Sequence, residues 1–273
     1  MKPDESLVGE EASEWLLRAF GWALQQFGGT NFYERTLLVT PTSEHFPERP
    51  QPGEDPAVVL FRQVRAHAGM ESWPCKLVAQ KPDIDTRIAP TIVLENVPRG
   101  PGGTFSEPIK KRAPAVITYN PSDQGDAQWL AAVFAHELAH YLGREATEAP
   151  PGGTKNWENA TDLLAVFMGF GIFLANSAVR FGQFAGVGTR GWKISRTGYL
   201  TDVELIFALA IFCILKGIDQ KQARGHLKPW LRSALRDATD ELGNRASDIE
   251  KLRNVVEITR PPSRHRLRRW SAD

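Results

Sequence analysis

Within Ala127–Leu142, the apolar residues Trp129, Leu130, Val133, Phe134, Tyr141 and Leu142 recur at helical spacing, and His136-Glu137-Leu138-Ala139-His140 stands in their midst. The spacing predicts a buried helix, and the fold around it must also accommodate two imidazoles and a carboxylate. Residues four apart on a helix are rotated by about 400°, so His136 and His140 rise from one face, roughly 6 Å apart along the axis. That separation suits two ligands of a tetrahedral zinc ion. Glu137 lies at the edge of the same face, where it can take a proton from a metal-bound water without ligating the ion. Ser122, Asp123 and Asp126 are candidate N-caps, and Gly143 is expected to end the helix in the left-handed conformation.

A third ligand is expected from the next helical stretch. Glu158 follows His140 by 18 positions and precedes Asp162 by four, so the two carboxylates share a helix face. One can bind the metal and the other can accept the free ring N–H of a ligand histidine, fixing its tautomer. The apolar run Leu163–Ala175, directly after Asp162, argues that this helix is buried and not a solvated acidic face.

HExxH followed by ExxxD, over roughly Ala115 to Ser177, resembles the gluzincin clan of zinc metallopeptidases, which includes thermolysin-like enzymes and compact minigluzincins. The resemblance implies that His136, His140 and Glu158 hold one Zn2+ per chain, that Glu137 is the catalytic general base, and that Asp162 orients a ligand histidine. It implies a zincin-like α+β fold: a small mixed sheet with helices in an N-terminal lobe, the active-site helix at the junction, and an all-helical C-terminal lobe. The expected substrate is a peptide or protein. The long metzincin pattern is rejected, because it needs a third His six residues after the second and position 146 is Ala146. Two rival functions stay open: a regulatory or binding protein on a zincin scaffold without peptidase activity, and a metal-dependent hydrolase of a non-peptide amide or ester.

Composition sets the remaining bounds. With 42% hydrophobic and 24% charged residues the chain is suited to a packed globular core. Residues 1–259 read as a single catalytic domain, with an α+β part over 1–122 and a helical part over 123–259; residues 260–273 read as a flexible basic tail. The formal charge is +1, of which Thr259–Asp273 carries +4 (five Arg, one Asp), leaving −3 elsewhere. Arg260–Arg269 is thus the only hint of nucleic-acid contact, and no folded recognition module surrounds it. The acidic start (Asp4, Glu5, Glu10, Glu11) has no basic-then-apolar leader, and Cys75 and Cys213 cannot build a disulfide framework. Both point to a reducing cytoplasm. Leu163–Ala175, at 13 residues with two glycines, is short of a membrane span, so no insertion is expected.

Along the chain, residues 1–28 read as an amphipathic helix closed by Gly28-Gly29, and Thr36–Thr40 as a strand. Pro41–Pro56 reads as a loop holding a surface His45. A helix over Pro56–Ala68 and strands over Cys75–Gln80, Thr91–Val97 and Ala115–Asn120 come next, with a hairpin turn at Arg99–Thr104. By the resemblance, Ala115–Asn120 is the sheet edge along the cleft, able to pair with an extended peptide. Glu145–Lys155 and Phe181–Gly191 read as loops. Thr201-Asp202-Val203-Glu204 is a capping box heading a helix to Lys216, and helices follow over Pro229–Leu242 and Ala246–Ile258. Tyr199, His226 and Arg196 are candidates for an oxyanion donor, none with distinguishing spacing.

Overall fold

The computed structural model describes residues 6–80, 92–94, 115–184 and 199–255, giving backbone only for 92–94 and 180–184. The expected turn at Arg99–Thr104, Arg196 and the basic tail lie outside the described residues. The chain opens with α1 (Glu10–Phe27) and α2 (Gly29–Arg35), separated by Gly28 at φ 98°. Helix α2 was not anticipated; Gly29 starts it where the sequence suggested a terminator. Trp15, Leu16, Ala19, Phe20, Ala23 and Phe27 bury one face of α1. That face packs on three later helices, α5 (Trp157–Ala165), α7 (Asp202–Lys216) and α10 (Ala246–Arg253). Helix α1 therefore belongs with the helical body.

Thr36–Thr40 is not a sheet strand. It runs past the apolar helical stretch, and Val39 N donates to Gly169 O at 3.0 Å. Gly169 has φ 100°, and a Cβ there would lie 2.0 Å from Leu37 O, so only glycine permits the approach. The apolar run expected as one helix is accordingly interrupted: α5 passes into a π-helical turn at Val166–Phe170, kinked at Gly169, before α6 (Gly171–Phe184). Gly182, assigned to a loop in the sequence, is within α6. Thr154–Val179 is long and apolar enough to cross a membrane, but 94% of its apolar window is buried inside the protein. In this fold it serves as core.

Helix α3 (Pro56–His67) starts on Asp55, whose Oδ1 accepts Ala57 N at 2.8 Å. The three strands are β1 (Cys75–Ala79), β2 (Ile92–Leu94) and β3 (Ala115–Tyr119), in the order β1-β3-β2. β3 runs parallel to β1 from Cys75↔Ala115 to Ala79↔Tyr119, and antiparallel to β2 at Ile92↔Ile117. The small mixed sheet is present, but β3 is its middle strand. The expected open edge at Ala115–Asn120 is thus corrected: β1 flanks β3 from Ala115 to Tyr119, and β2 flanks Ala115–Ile117 on the other side.

Ala115, Ile117 and Tyr119 point into the core, and the Tyr119 hydroxyl bonds Asp55, joining β3 to the head of α3. Helix α4 (Ala127–Gly143) lies against both β3 and α3. After α7 come α8 (Gln220–Arg224), unforeseen in the sequence, then α9 (Leu231–Asn244) and α10. The capping box holds as expected: Glu204 N reaches Thr201 Oγ1 at 3.2 Å and Thr201 N reaches Glu204 Oε2 at 2.7 Å. Cys75 is half-buried and Cys213 buried, both free thiols. The molecule is α+β at this level, with helices dominating.

Candidate metal centre

Asp126 is the residue that caps α4, accepting Trp129 N at 3.0 Å. Gly143 does not take the left-handed conformation; it is the last residue of the helix, before an αR cap at Arg144. Its small size matters for packing, since a Cβ there would come within 3.1 Å of the Trp157 ring. Close approach of α4 to the start of α5 brings the two sets of polar residues together.

The loop between these helices is held from α1. Trp15 Nε1 donates to Pro151 O at 2.8 Å, Trp22 Nε1 to Glu148 O at 3.1 Å, and Thr147 N to Gln26 Oε1 at 2.9 Å. The Trp22 ring also packs edge-on against Trp157, 5.8 Å between centroids. These contacts fix where α5 begins. The residues Glu158, Thr161 and Asp162, at i, i+3 and i+4, then form one stripe facing α4.

His136 and His140 rings stand 4.7 Å apart and nearly perpendicular, at 86°. Both Nε2 atoms approach the same carboxylate oxygen: Glu158 Oε2 is 3.8 Å from His136 Nε2 and 3.3 Å from His140 Nε2. Glu158 has a half-exposed side chain, yet Oε2 is buried and has no hydrogen-bond partner among the described residues. Each Nδ1 is engaged on the far side of its ring. Asp162 Oδ1 lies 2.9 Å from His136 Nδ1, and Thr161 Oγ1 lies 3.2 Å from His140 Nδ1. The Asp162 carboxylate also accepts Leu200 N at 2.8 Å through Oδ2, tying in the segment before α7.

This arrangement fits a cation. The ligand atoms of His136, His140 and Glu158 all lie within 4.8 Å of one another, and the group could hold a metal ion. Bonds of about 2.0–2.1 Å at a tetrahedral angle put neighbouring donors about 3.3 Å apart. The two distances to Glu158 Oε2 are at or within half an ångström of that spacing. Two imidazole nitrogens and a carboxylate oxygen are also a zinc donor set, leaving a fourth position open.

The electrostatics are concentrated on His136. Burial acts to lower its pKa, but the Asp162 hydrogen bond, with the charges of Asp162, Glu137 and Glu158, outweighs burial and raises it to about 9. Burial would raise the Glu158 pKa, yet the neighbouring His140 and His136 rings bring the carboxyl below its ordinary value. Glu137 is almost fully buried. Its charge reaches His136 and also Tyr199, whose pKa is pushed up by burial and by Glu158, Asp162 and Glu137.

Of the three oxyanion candidates, the structure brings Tyr199 to the centre, its ring 5.5 Å from that of His136 and tilted by 31°. His226 follows α8, where its carbonyl accepts Asn176 Nδ2 at 2.9 Å. His45 is also part of a polar network: its Nδ1 lies 2.8 Å from Thr40 Oγ1 and its ring 5.3 Å from that of His67. Thr161 was missed in the sequence, although its i+3 spacing from Glu158 was a readable signal. Comparison with protein-family models, curated proteins and solved structures returned no match, so the chemistry open to this site is read from its own geometry.

Proposed function

We propose that the chain is a zinc-dependent metallopeptidase with a gluzincin-type site and a zincin-like arrangement of sheet and helices. The observation that carries this reading is the convergence of His136 Nε2 and His140 Nε2 on Glu158 Oε2, with the buried Glu137 one residue from the first imidazole. His136, His140 and Glu158 hold the ion, and Asp162 fixes the tautomer of His136. Zinc held by these three residues would supply Lewis acidity, lowering the pKa of a water at the site towards about 7. Glu137 takes the proton from the attacking water and returns it to the leaving amine. Tyr199, whose ring lies 5.5 Å from that of His136, is the residue we assign to donate to the oxygen that gains charge on a peptide carbonyl.

A binding protein would need the metal ligands and their supports but not Glu137, whose burial within reach of His136 and Tyr199 favours the enzyme reading. Free Cys75 and Cys213 accord with action in the cytoplasm. The test is Glu137→Gln against a broad set of peptide substrates. The variant is expected to keep the parent's metal content while turnover falls by about 10²–10⁴-fold. Unchanged peptide cleavage would remove Glu137 from the mechanism, and a parent that cleaves only esters or non-peptide amides would change the substrate class.

A further inference from the structure

Thr161 is 1% exposed and makes two contacts through one hydroxyl. Oγ1 donates to Trp157 O at 2.8 Å and lies 3.2 Å from His140 Nδ1. A threonine hydroxyl has a single proton, and a backbone carbonyl can only accept. With that proton given to Trp157, Oγ1 can meet His140 only as an acceptor. His140 Nδ1 must therefore carry the hydrogen, and in the neutral ring that a metal requires the lone pair is then on Nε2, the atom that faces Glu158 Oε2. We propose that Thr161 is a positioning residue of the metal centre, holding His140 in the tautomer and ring orientation that ligation through Nε2 requires.

This rests on the metal-binding reading given above and extends it to the second histidine. The two imidazoles are oriented by consecutive residues of α5, Asp162 for His136 and Thr161 for His140. The supports differ in kind. A carboxylate raises the basicity of His136, whereas a neutral hydroxyl orients His140 without adding charge. His140 is also the more exposed of the pair, its side chain 30% accessible against 3% for His136. Without Thr161 its ring would be free to turn and its Nδ1–H to exchange with water.

The test compares Thr161→Val, which keeps the branched shape and removes the acceptor, with Thr161→Ser, which keeps the hydroxyl. Zinc affinity is read by competition with a chromophoric chelator. Thr161→Val should bind zinc about 10- to 100-fold more weakly than the parent, and Thr161→Ser should recover most of the loss. Parental affinity in Thr161→Val, or equal weakening in both variants, would overturn the assignment. Should Thr161→Val fail to fold, the zinc-loaded parent decides the matter by ¹⁵N NMR of its histidines. A slowly exchanging His140 Nδ1–H, with Nε2 bound to the metal, is expected; ligation through Nδ1 would overturn the proposal. A parent that binds no zinc at all would instead remove the metal centre itself.

Discussion

Helices α4 and α7 are both strongly apolar and buried along most of their length, yet they solve different problems. α7 presents Leu205, Ile206, Phe207, Ala208, Leu209, Ala210, Ile211 and Phe212 to the core without an ionisable side chain among them. Its polar requirements end at the termini, where the capping box satisfies the first turn and Gly217, at φ 65°, closes the last. α4 carries His136, Glu137 and His140 in its interior, and each histidine meets a polar partner from α5. Apolar packing alone explains α7. It does not explain α4, where buried ionisable groups are retained together with the side chains that orient them.

The largest break in that contrast comes from Asp162→Ala. It strands a buried imidazole that the carboxylate keeps charged at neutral pH, and it removes the acceptor for Leu200 N. Loss of about 3–5 kcal/mol of folding stability is expected for the metal-free protein at pH 7, together with weakened metal binding. Denaturant unfolding beside a metal titration reads both effects. Phe207→Ala in α7 is the counterpart. It should lose a comparable or somewhat smaller stability, about 3–5 kcal/mol, while the folded fraction keeps parental zinc affinity. If Phe207→Ala impaired metal binding as severely as Asp162→Ala, the division between the two helices would be wrong.

A smaller effect comes from pH. In the metal-free protein His136 is raised from its ordinary 6.5 to about 9, burial opposing and Asp162 favouring the charged ring. A raised folded-state pKa contributes stability that is fully present below 6.5 and is lost as pH rises through about 9. Metal must displace that proton, so the His136 contribution makes zinc affinity rise about tenfold per pH unit up to about pH 9 and then level off. Isothermal titration in buffers of different ionisation enthalpy would count the proton released. Pairing that is indifferent to pH between 6.5 and 9 would contradict the charged state assigned to His136.

Much of the site was legible because it follows helical periodicity. His136 and His140 four apart, and Glu158 and Asp162 four apart, lie on faces that any α-helix would create, and the flanking apolar residues showed that those faces turn towards the core. Thr161 shares that spacing, three residues after Glu158, but threonine is ordinary on a helix and its role depends on where α4 crosses α5. The errors in the fold have the same origin. Thr36–Thr40 has strand-like residues, but its backbone pairs with Gly169 in a kinked helix, a contact across 130 positions that no local pattern encodes. The composition of β3 marked a strand without revealing that β1 takes one edge and β2 the Ala115–Ile117 part of the other. At Gly143 the sequence marks a glycine but not its reason: there is no left-handed turn, and a Cβ there would crowd the Trp157 ring.

The most direct test of the central claim is metal content, measured by mass spectrometry on protein purified without chelator or affinity tag, beside His140→Ala prepared identically. About one zinc per chain in the parent and none in the variant is the predicted result. No metal in the parent, or the same content in both proteins, would contradict a centre built from His136, His140 and Glu158.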